Sequence, residues 1–412
     1  MIAVFGLFGS SNLGNEATLA AFLQSLRIHA PDARILTITP RAFGIDQTNG
    51  AFRLDMDPLP VQQIFWRIKP AWLHRITVSA ATALSEPFRR RRAARLLAGV
   101  RTLFVPGTGV VDDFGQGTID MPLHLDRWTA AAAAAGIRVI FCSIGVSAVK
   151  NQLSRRLFLR SLRRSAYCSV RDRISCENAR ALGYGEASIV PDLAFGLQHS
   201  ESHSTDVTWP PRTIGVGVMG YSGWNLDRDR GERVYREYIA KILELIQLLA
   251  TRGYTVRLLI GDTSADARAL RYVSQACAGD RGPRSGLVIA SPIGTYQALI
   301  DEIALCDAVV ATRYHNVLFS LLAGRPTISI GYSDKNDALM QSMNQAAYCH
   351  AIESFDAGTV AAQISRIAAQ PQSPIADLCN RASSMRDRVI EQFEKVFASG
   401  TTEYGHSARS AR

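Results

Sequence analysis

Lysine is nearly absent from this chain: only five of its 46 basic residues are lysine, at 69, 150, 241, 335 and 395. Such an arginine bias often follows base composition, so the formal net charge of +10 does not by itself identify a polyanionic partner. Long apolar runs are missing as well. The longest, residues 128–146, is broken at Gly136 and Arg138 and divides into an alanine-rich helix and a β-branched strand. No stretch reaches the ~20 apolar residues of a spanning helix. The opening Met1-Ile2-Ala3-Val4-Phe5-Gly6 has neither a basic start nor a cleavage-like site, which argues against a signal peptide and for a cytoplasmic protein. The seven cysteines are odd in number and no pair has CxxC spacing, so neither a disulfide framework nor a metal site is expected. No recognition-helix, zinc-finger or RNP-type pattern occurs, which argues against nucleic acid as a partner.

What is present is an ordinary globular composition. The 412 residues, 47% hydrophobic and 20% charged, suit two domains better than one. Strand candidates at 1–7, 34–39, 102–105, 137–143, 166–170 and 187–190 alternate with helical periodicity at 15–27, 126–135, 152–164 and 172–182. Residues 55–100 read as apolar-basic and helical, interrupted by prolines. A polar stretch at 198–212 is the best linker candidate. Alternation then restarts, with strands at 213–218, 254–260, 286–290, 307–311 and 326–331 and helices at 231–252, 264–277, 295–304 and 315–323. Parallel sheets covered on both faces follow from this order. The expected fold class is therefore α/β, with two Rossmann-like domains at 1–205 and 206–375. The second domain ends with a helix at 357–369, and a C-terminal helix at 376–398 and a disordered tail at 399–412 complete the chain. By analogy the architecture is glycosyltransferase-B-like, with the active site expected in the cleft between domains.

Ligands of such folds gather at the carboxyl ends of strands, and four segments fall there. Gly6-Leu7-Phe8-Gly9-Ser10-Ser11-Asn12-Leu13-Gly14-Asn15-Glu16 is a glycine loop before a helix, suited to an anion or a polar hydroxyl, although a plain structural turn is its rival. Its spacing is neither GxGxxG nor a P-loop. Pro106-Gly107-Thr108-Gly109-Val110-Val111-Asp112-Asp113 combines small residues with carboxylates able to accept a hydroxyl proton; a solvated loop with capping aspartates fits equally. Arg171 before Asp172 suits a bidentate phosphate or carboxylate contact, or a plain surface pair. The sharpest segment is Thr312-Arg313-Tyr314-His315-Asn316, where a fixed cation and a titratable imidazole stand two residues apart. Lys335, after the next strand, adds a second cation. Arginine also clusters at 89–92 with Arg95, and at Arg155, Arg156, Arg160, Arg163 and Arg164. These read as solvated helix faces, or as attraction to a polyanionic acceptor or to the inner face of an anionic membrane.

Taken in order, these segments resemble the polysaccharide pyruvyl transferase family. The resemblance rests on Asn12-Leu13-Gly14-Asn15-Glu16, Gly107-Thr108-Gly109 with Asp112, Ser143-Ile144-Gly145, Arg171-Asp172 with Pro191-Asp192, Arg313-Tyr314-His315, Gly324-Arg325-Pro326 and Tyr332-Ser333-Asp334-Lys335. Two departures stand out: Asn15 occupies a usual aspartate position, and Thr108 interrupts a usual glycine run. The resemblance implies transfer of a pyruvyl group from phosphoenolpyruvate to two sugar hydroxyls, forming a cyclic ketal in cell-surface or exopolysaccharide synthesis. No cofactor is implied beyond phosphoenolpyruvate as donor substrate. It further implies Arg171, Arg313 and Lys335 as the cations for the donor and His315 as its acid or phosphate contact. Asp112 or Glu16 would then orient the hydroxyls of a saccharide or lipid-linked oligosaccharide acceptor, with Asn12, Gly14, Gly107 and Gly109 lining the substrates. The rival readings are a nucleotide-sugar glycosyltransferase or epimerase on the same architecture, and a non-catalytic glycan-biosynthesis protein.

Overall fold

The computed structural model describes residues 1–40, 52–57, 71–113, 120–198, 210–223, 227–279, 287–370 and 373–404. The linker candidate and the expected boundary at 205 lie outside these residues for the most part. Two compact units form. The first takes Met1–Ser10, Thr18–Leu193 and Val389–Arg412; the second takes Ser11–Ala17 and Ala194–Arg388.

The first unit carries a seven-stranded parallel sheet in the order β3-β2-β1-β4-β5-β6-β7. Its strands are β1 Ile2–Phe5, β2 Ile35–Thr39, β3 Phe52–Asp55, β4 Thr102–Pro106, β5 Arg138–Ile144, β6 Tyr167–Val170 and β7 Ser188–Ile189. All of β1, β2 and β4 is buried, because helices cover both faces and a parallel strand then needs apolar residues on each. The helices are α1 Leu13–His29, α2 Ala71–Leu96, α3 Met121–Ala134, α4 Gln152–Arg163 and α5 Arg173–Leu182. Strand β3, whose Phe-Arg-Leu-Asp sequence carries little β signal, goes unread in the sequence; pairing along β2 specifies it. Strand order reverses at the β1–β4 pair, so the loops after these two strands open at one crevice.

The second unit repeats the plan with six parallel strands in the order β10-β9-β8-β11-β12-β13. These are β8 Thr213–Gly217, β9 Thr255–Leu259, β10 Val288–Ile289, β11 Ala308–Ala311, β12 Thr327–Gly331 and β13 Cys349–Ala351. Its helices are α6 Arg228–Thr251, α7 Ala267–Ala278, α8 Tyr296–Ala304, α9 Tyr314–Leu322, α10 Asp334–Ser342 and α11 Ala357–Ala368. Order reverses here at β8–β11.

The last helix, α12, runs Ser373–Tyr404. It extends into the segment read from sequence as a tail; residues 405–412 lie outside the described residues. Its distal part belongs to the first unit. The ring of Phe393 sits 5.9 Å from that of Phe22. Gln392 donates to Ser143 Oγ at 3.1 Å and accepts from Tyr167 at 3.2 Å and from Ser169. The hydroxyls on β5 and β6 therefore find their partner more than 200 residues later in the chain.

The two arginine clusters are only partly solvated. Arg89 pairs with Asp57 at 3.0 Å and is nearly inaccessible, while Arg127, fully buried, pairs with Glu86 at 2.8 Å. The buried carboxylate of Asp126 takes both Arg90 and Arg164 at 2.7 Å, with Arg160 at 3.6 Å. Charge buried this way is tolerated because every cation finds a carboxylate. His124 stands beside the network, its Nδ1 2.9 Å from Arg127 Nη1. Burial, reinforced by Arg127 and Arg89, lowers its pKa to about 3. Between that value and the unfolded pKa of about 6.5, the unfolded chain binds a proton that the native chain refuses. Native stability should therefore rise with pH through this window. Urea unfolding across pH 3 to 7 is expected to show this rise, and His124→Gln should flatten it.

Candidate active site

The second unit gathers most of the residues singled out in the sequence. Its centre is Asp266, fully buried at the start of α7. The Asp266 carboxylate accepts backbone N–H groups from Gly220 after β8 at 3.0 Å, and from Gly261 and Asp262 after β9 at 3.1 and 3.0 Å. It also accepts both Nη2 of Arg313 at 2.6 Å and Nε at 3.2 Å. A guanidinium held through Nε and Nη2 presents its Nη1 edge in a fixed direction. Burial alone would lower the Arg313 pKa, and the pair with Asp266 more than reverses it. Arg313 is thus a permanent, oriented donor whose charge is already balanced.

Arg313 precedes α9, and the next turn brings His315 against the glycine loop. A Cβ built on Gly14 would lie 1.9 Å from His315 Nδ1 and 2.1 Å from its Cγ. The imidazole therefore packs directly against the Gly14 backbone, a seat that no residue with a side chain can provide. Phe319, one turn on, backs the ring at 5.9 Å between centroids. The loop is fixed by its own contacts: Asn12 Oδ1 accepts from the amides of Gly14 and Asn15 at 3.1 and 3.2 Å, capping α1. Leu13 N–H donates to Gly261 O at 3.0 Å, and Thr263 N–H to Ser11 O at 2.9 Å. Asn12 is thus occupied by its own helix. Glu16, in the first turn of α1, lies within electrostatic reach of Tyr296, whose phenol burial and Glu16 together push up.

Lys335 enters from α10. Asn336 Nδ2 donates to Thr312 O at 3.0 Å, which ties α10 to the segment before Arg313. The Lys335 ammonium lies 4.8 Å from the Tyr332 ring centroid and has no carboxylate partner among the described residues. Among the described residues its charge, unlike that of Arg313, is uncompensated.

The first unit holds the other expected residues. Gly107, with φ of 53°, faces Thr18: an added Cβ would fall 2.1 Å from Thr18 Cγ2. Thr108 follows in the same left-handed region at φ 56°, an uncommon and strained conformation for a β-branched residue. Nothing lies within 4 Å of a Cβ built on Gly109, so the turn opens there. Asp112 accepts from Ser147 Oγ at 3.0 Å and is only partly buried. Arg171 has an internal occupation rather than the open phosphate contact expected of it. It is 7% exposed, pairs with Asp172 and with buried Asp192 at 3.3 Å each, and lies over Gly145. Two carboxylates against one guanidinium leave this cluster no positive charge to offer.

Two residues of the second unit escaped the sequence reading, and a third, Asn316, was quoted within its turn but given no role. Asp266 was hidden because Gly261-Asp262-Thr263-Ser264-Ala265-Asp266 resembles an ordinary strand-to-helix turn; its place after β9 was the available signal. Asp262 caps the same turn, accepting from Ser264 and Ala265 at 3.0 and 2.8 Å. Asn316 is fully buried, and neither end of its amide has a partner among the described residues, an arrangement that costs about 1–3 kcal/mol.

A family model for polysaccharide pyruvyl transferase matches residues 12–334, from the Asn12 cap through the Arg313–His315 turn to the start of α10. The chain belongs to the polysaccharide pyruvyl transferase family. Membership makes it a transferase of glycan biosynthesis that acts on a saccharide acceptor. No curated protein matches the chain. Among solved structures it is similar to a UDP-GlcNAc 2-epimerase from Methanocaldococcus jannaschii, at 10% identity and TM-score 0.54 over 93% of this chain and 98% of that one. UGT89C1 of Arabidopsis thaliana complexed with UDP gives 10% identity and TM-score 0.56 over 97% and 98%. Sucrose-phosphate synthase from Thermosynechococcus elongatus gives 13% identity and TM-score 0.52 over 98% of each. These likenesses show the fold, two Rossmann-like domains of the glycosyltransferase-B class. No helix among the described residues is long and apolar enough to cross a membrane.

The seat of His315 can be tested without any substrate. Gly14→Ala should destabilise the native protein by about 1–3 kcal/mol through overpacking. The same change made in a His315→Ala background should cost much less, because the clashing ring is gone. Urea unfolding of the four proteins measures the coupling; equal costs in both backgrounds would refute the contact.

Proposed function

We propose that this family member transfers the pyruvyl group of phosphoenolpyruvate to two hydroxyls of a saccharide or lipid-linked oligosaccharide in the cytoplasm, forming a cyclic ketal and releasing phosphate. The observation that carries the reading is the joint fixing of two groups in one turn: Arg313 clasped by Asp266, and His315 seated on Gly14. A donor with phosphate and carboxylate needs donors that do not reorganise as charge moves. The Nη1 edge of Arg313 and the ammonium of Lys335 fill that role. His315 is the acid that protonates the methylene carbon of the donor, or its contact to the phosphate.

The steps balance. A proton adds to the methylene carbon and leaves C2 cationic; one sugar hydroxyl adds there and loses its proton. The C–O bond to phosphate then breaks, the second hydroxyl closes the ring and loses its proton, and the phosphate leaves as the monohydrogen dianion. Glu16 and Asp112 are the carboxylates proposed to orient or deprotonate the hydroxyls. Gly109 leaves room for the acceptor, whereas Arg171 organises its own strand end. The likeness to a UDP-bound glycosyltransferase and to UDP-GlcNAc epimerases keeps a second reading in view, in which the ligand is a uridine nucleotide.

Purified protein incubated with phosphoenolpyruvate and candidate saccharides should release phosphate and yield a ketal methyl signal by NMR. Arg313→Ala and His315→Ala should each lower the rate by about 10²-fold or more; near-normal turnover in both would remove these roles. Phosphoenolpyruvate, and not UDP, is expected to raise the melting temperature. The opposite result selects the second reading.

A further inference from the structure

The arginine cluster at 89–95 is divided by the helix that carries it. Arg89 and Arg90 turn inward to Asp57, Glu86 and Asp126. Arg91, Arg92 and Arg95 are exposed and form no ion pair with a described residue. On the same outward stripe of α2, one turn earlier, Leu84 is 79% exposed and Phe88 64%. The spacing 84, 88, 91, 95 follows one face of a helix, while Thr82, Arg89 and Ala93 on the opposite face are buried. Two large apolar side chains thus stand in water, continued by unpaired guanidinium groups.

We propose that this face of α2 docks on an anionic phospholipid bilayer. Leu84 and Phe88 enter the boundary between headgroups and acyl chains, and Arg91, Arg92 and Arg95 lie among the lipid phosphates. The charge pattern selects this partner. The apolar centre of a protein interface is depleted of charge, whereas an interfacial helix pairs aromatic or aliphatic residues with a dense set of arginines. Helix α4 repeats the combination, with Leu153 54% exposed and Arg156 and Arg163 also exposed. Both helices flank α3 and send other arginines inward to its buried Asp126, so on each the inward arginines are neutralised and the outward ones are not. The inference does not depend on the proposed reaction, although a lipid-linked acceptor would be met at that surface.

Full-length protein should sediment with vesicles of mixed phosphatidylcholine and phosphatidylglycerol at low salt, and not with phosphatidylcholine alone. Arg91→Glu/Arg95→Glu should weaken the partition about tenfold or more, and Leu84→Ser/Phe88→Ser should weaken it independently of salt. All four positions are exposed, so unchanged thermal unfolding is expected of both variants. Failure to sediment with anionic vesicles, or equal sedimentation of wild type and both variants, would overturn the proposal. A wild-type dimer that Leu84→Ser/Phe88→Ser converts to monomer, without vesicle binding, would assign the face to a second copy instead.

Discussion

The second unit depends on one buried carboxylate. Asp266 receives donors from the segments after β8, β9 and β11, three strands that converge at the reversal of strand order. Each amide and the guanidinium would be left unsatisfied without it, and a buried donor that loses its partner costs far more than a surface bond gains. The same carboxylate sets the direction of Arg313, and the first turn of α9 then delivers His315 to Gly14. Stability and site geometry therefore share a single anchor.

That arrangement bears on how the proposed anionic donor would be recognised. Most positive charge near the expected residues is already spent: Arg313 on Asp266, and Arg171 on Asp172 and Asp192. Paired arginines act through the direction of their N–H bonds more than through net charge, and directional donors suit a planar carboxylate or a phosphate. Lys335, with no carboxylate partner among the described residues, rests against Tyr332 and keeps its own charge. In the proposed reaction, an oriented arginine and an uncompensated lysine would divide that work.

The first unit handles arginine differently on the two sides of one helix. Toward α3, burial demands a carboxylate for every guanidinium, and Asp57, Glu86 and Asp126 provide them. Away from α3 no such demand operates, and the residues left there are apolar or cationic. A bias that looked like mere composition therefore separates into a structural set and a surface set.

Much of this fold is legible in the amino-acid sequence alone. Regular alternation of apolar runs and amphipathic stretches determines two parallel sheets, because a strand buried on both faces and a helix buried on one have distinct periods. Strand-end glycines and the Arg-x-His turn mark the candidate site, because ligands meet these folds where strands end. Tertiary structure alone decided which residues answer one another. Asp266 lies 47 positions from Arg313, Gly14 lies 301 from His315, and Gln392 lies 249 from Ser143. Nothing local distinguishes the capping aspartate that becomes an anchor, or the arginine that turns inward from its neighbour that faces water. Periodicity is written in adjacent residues; partnership exists only once the chain has closed on itself.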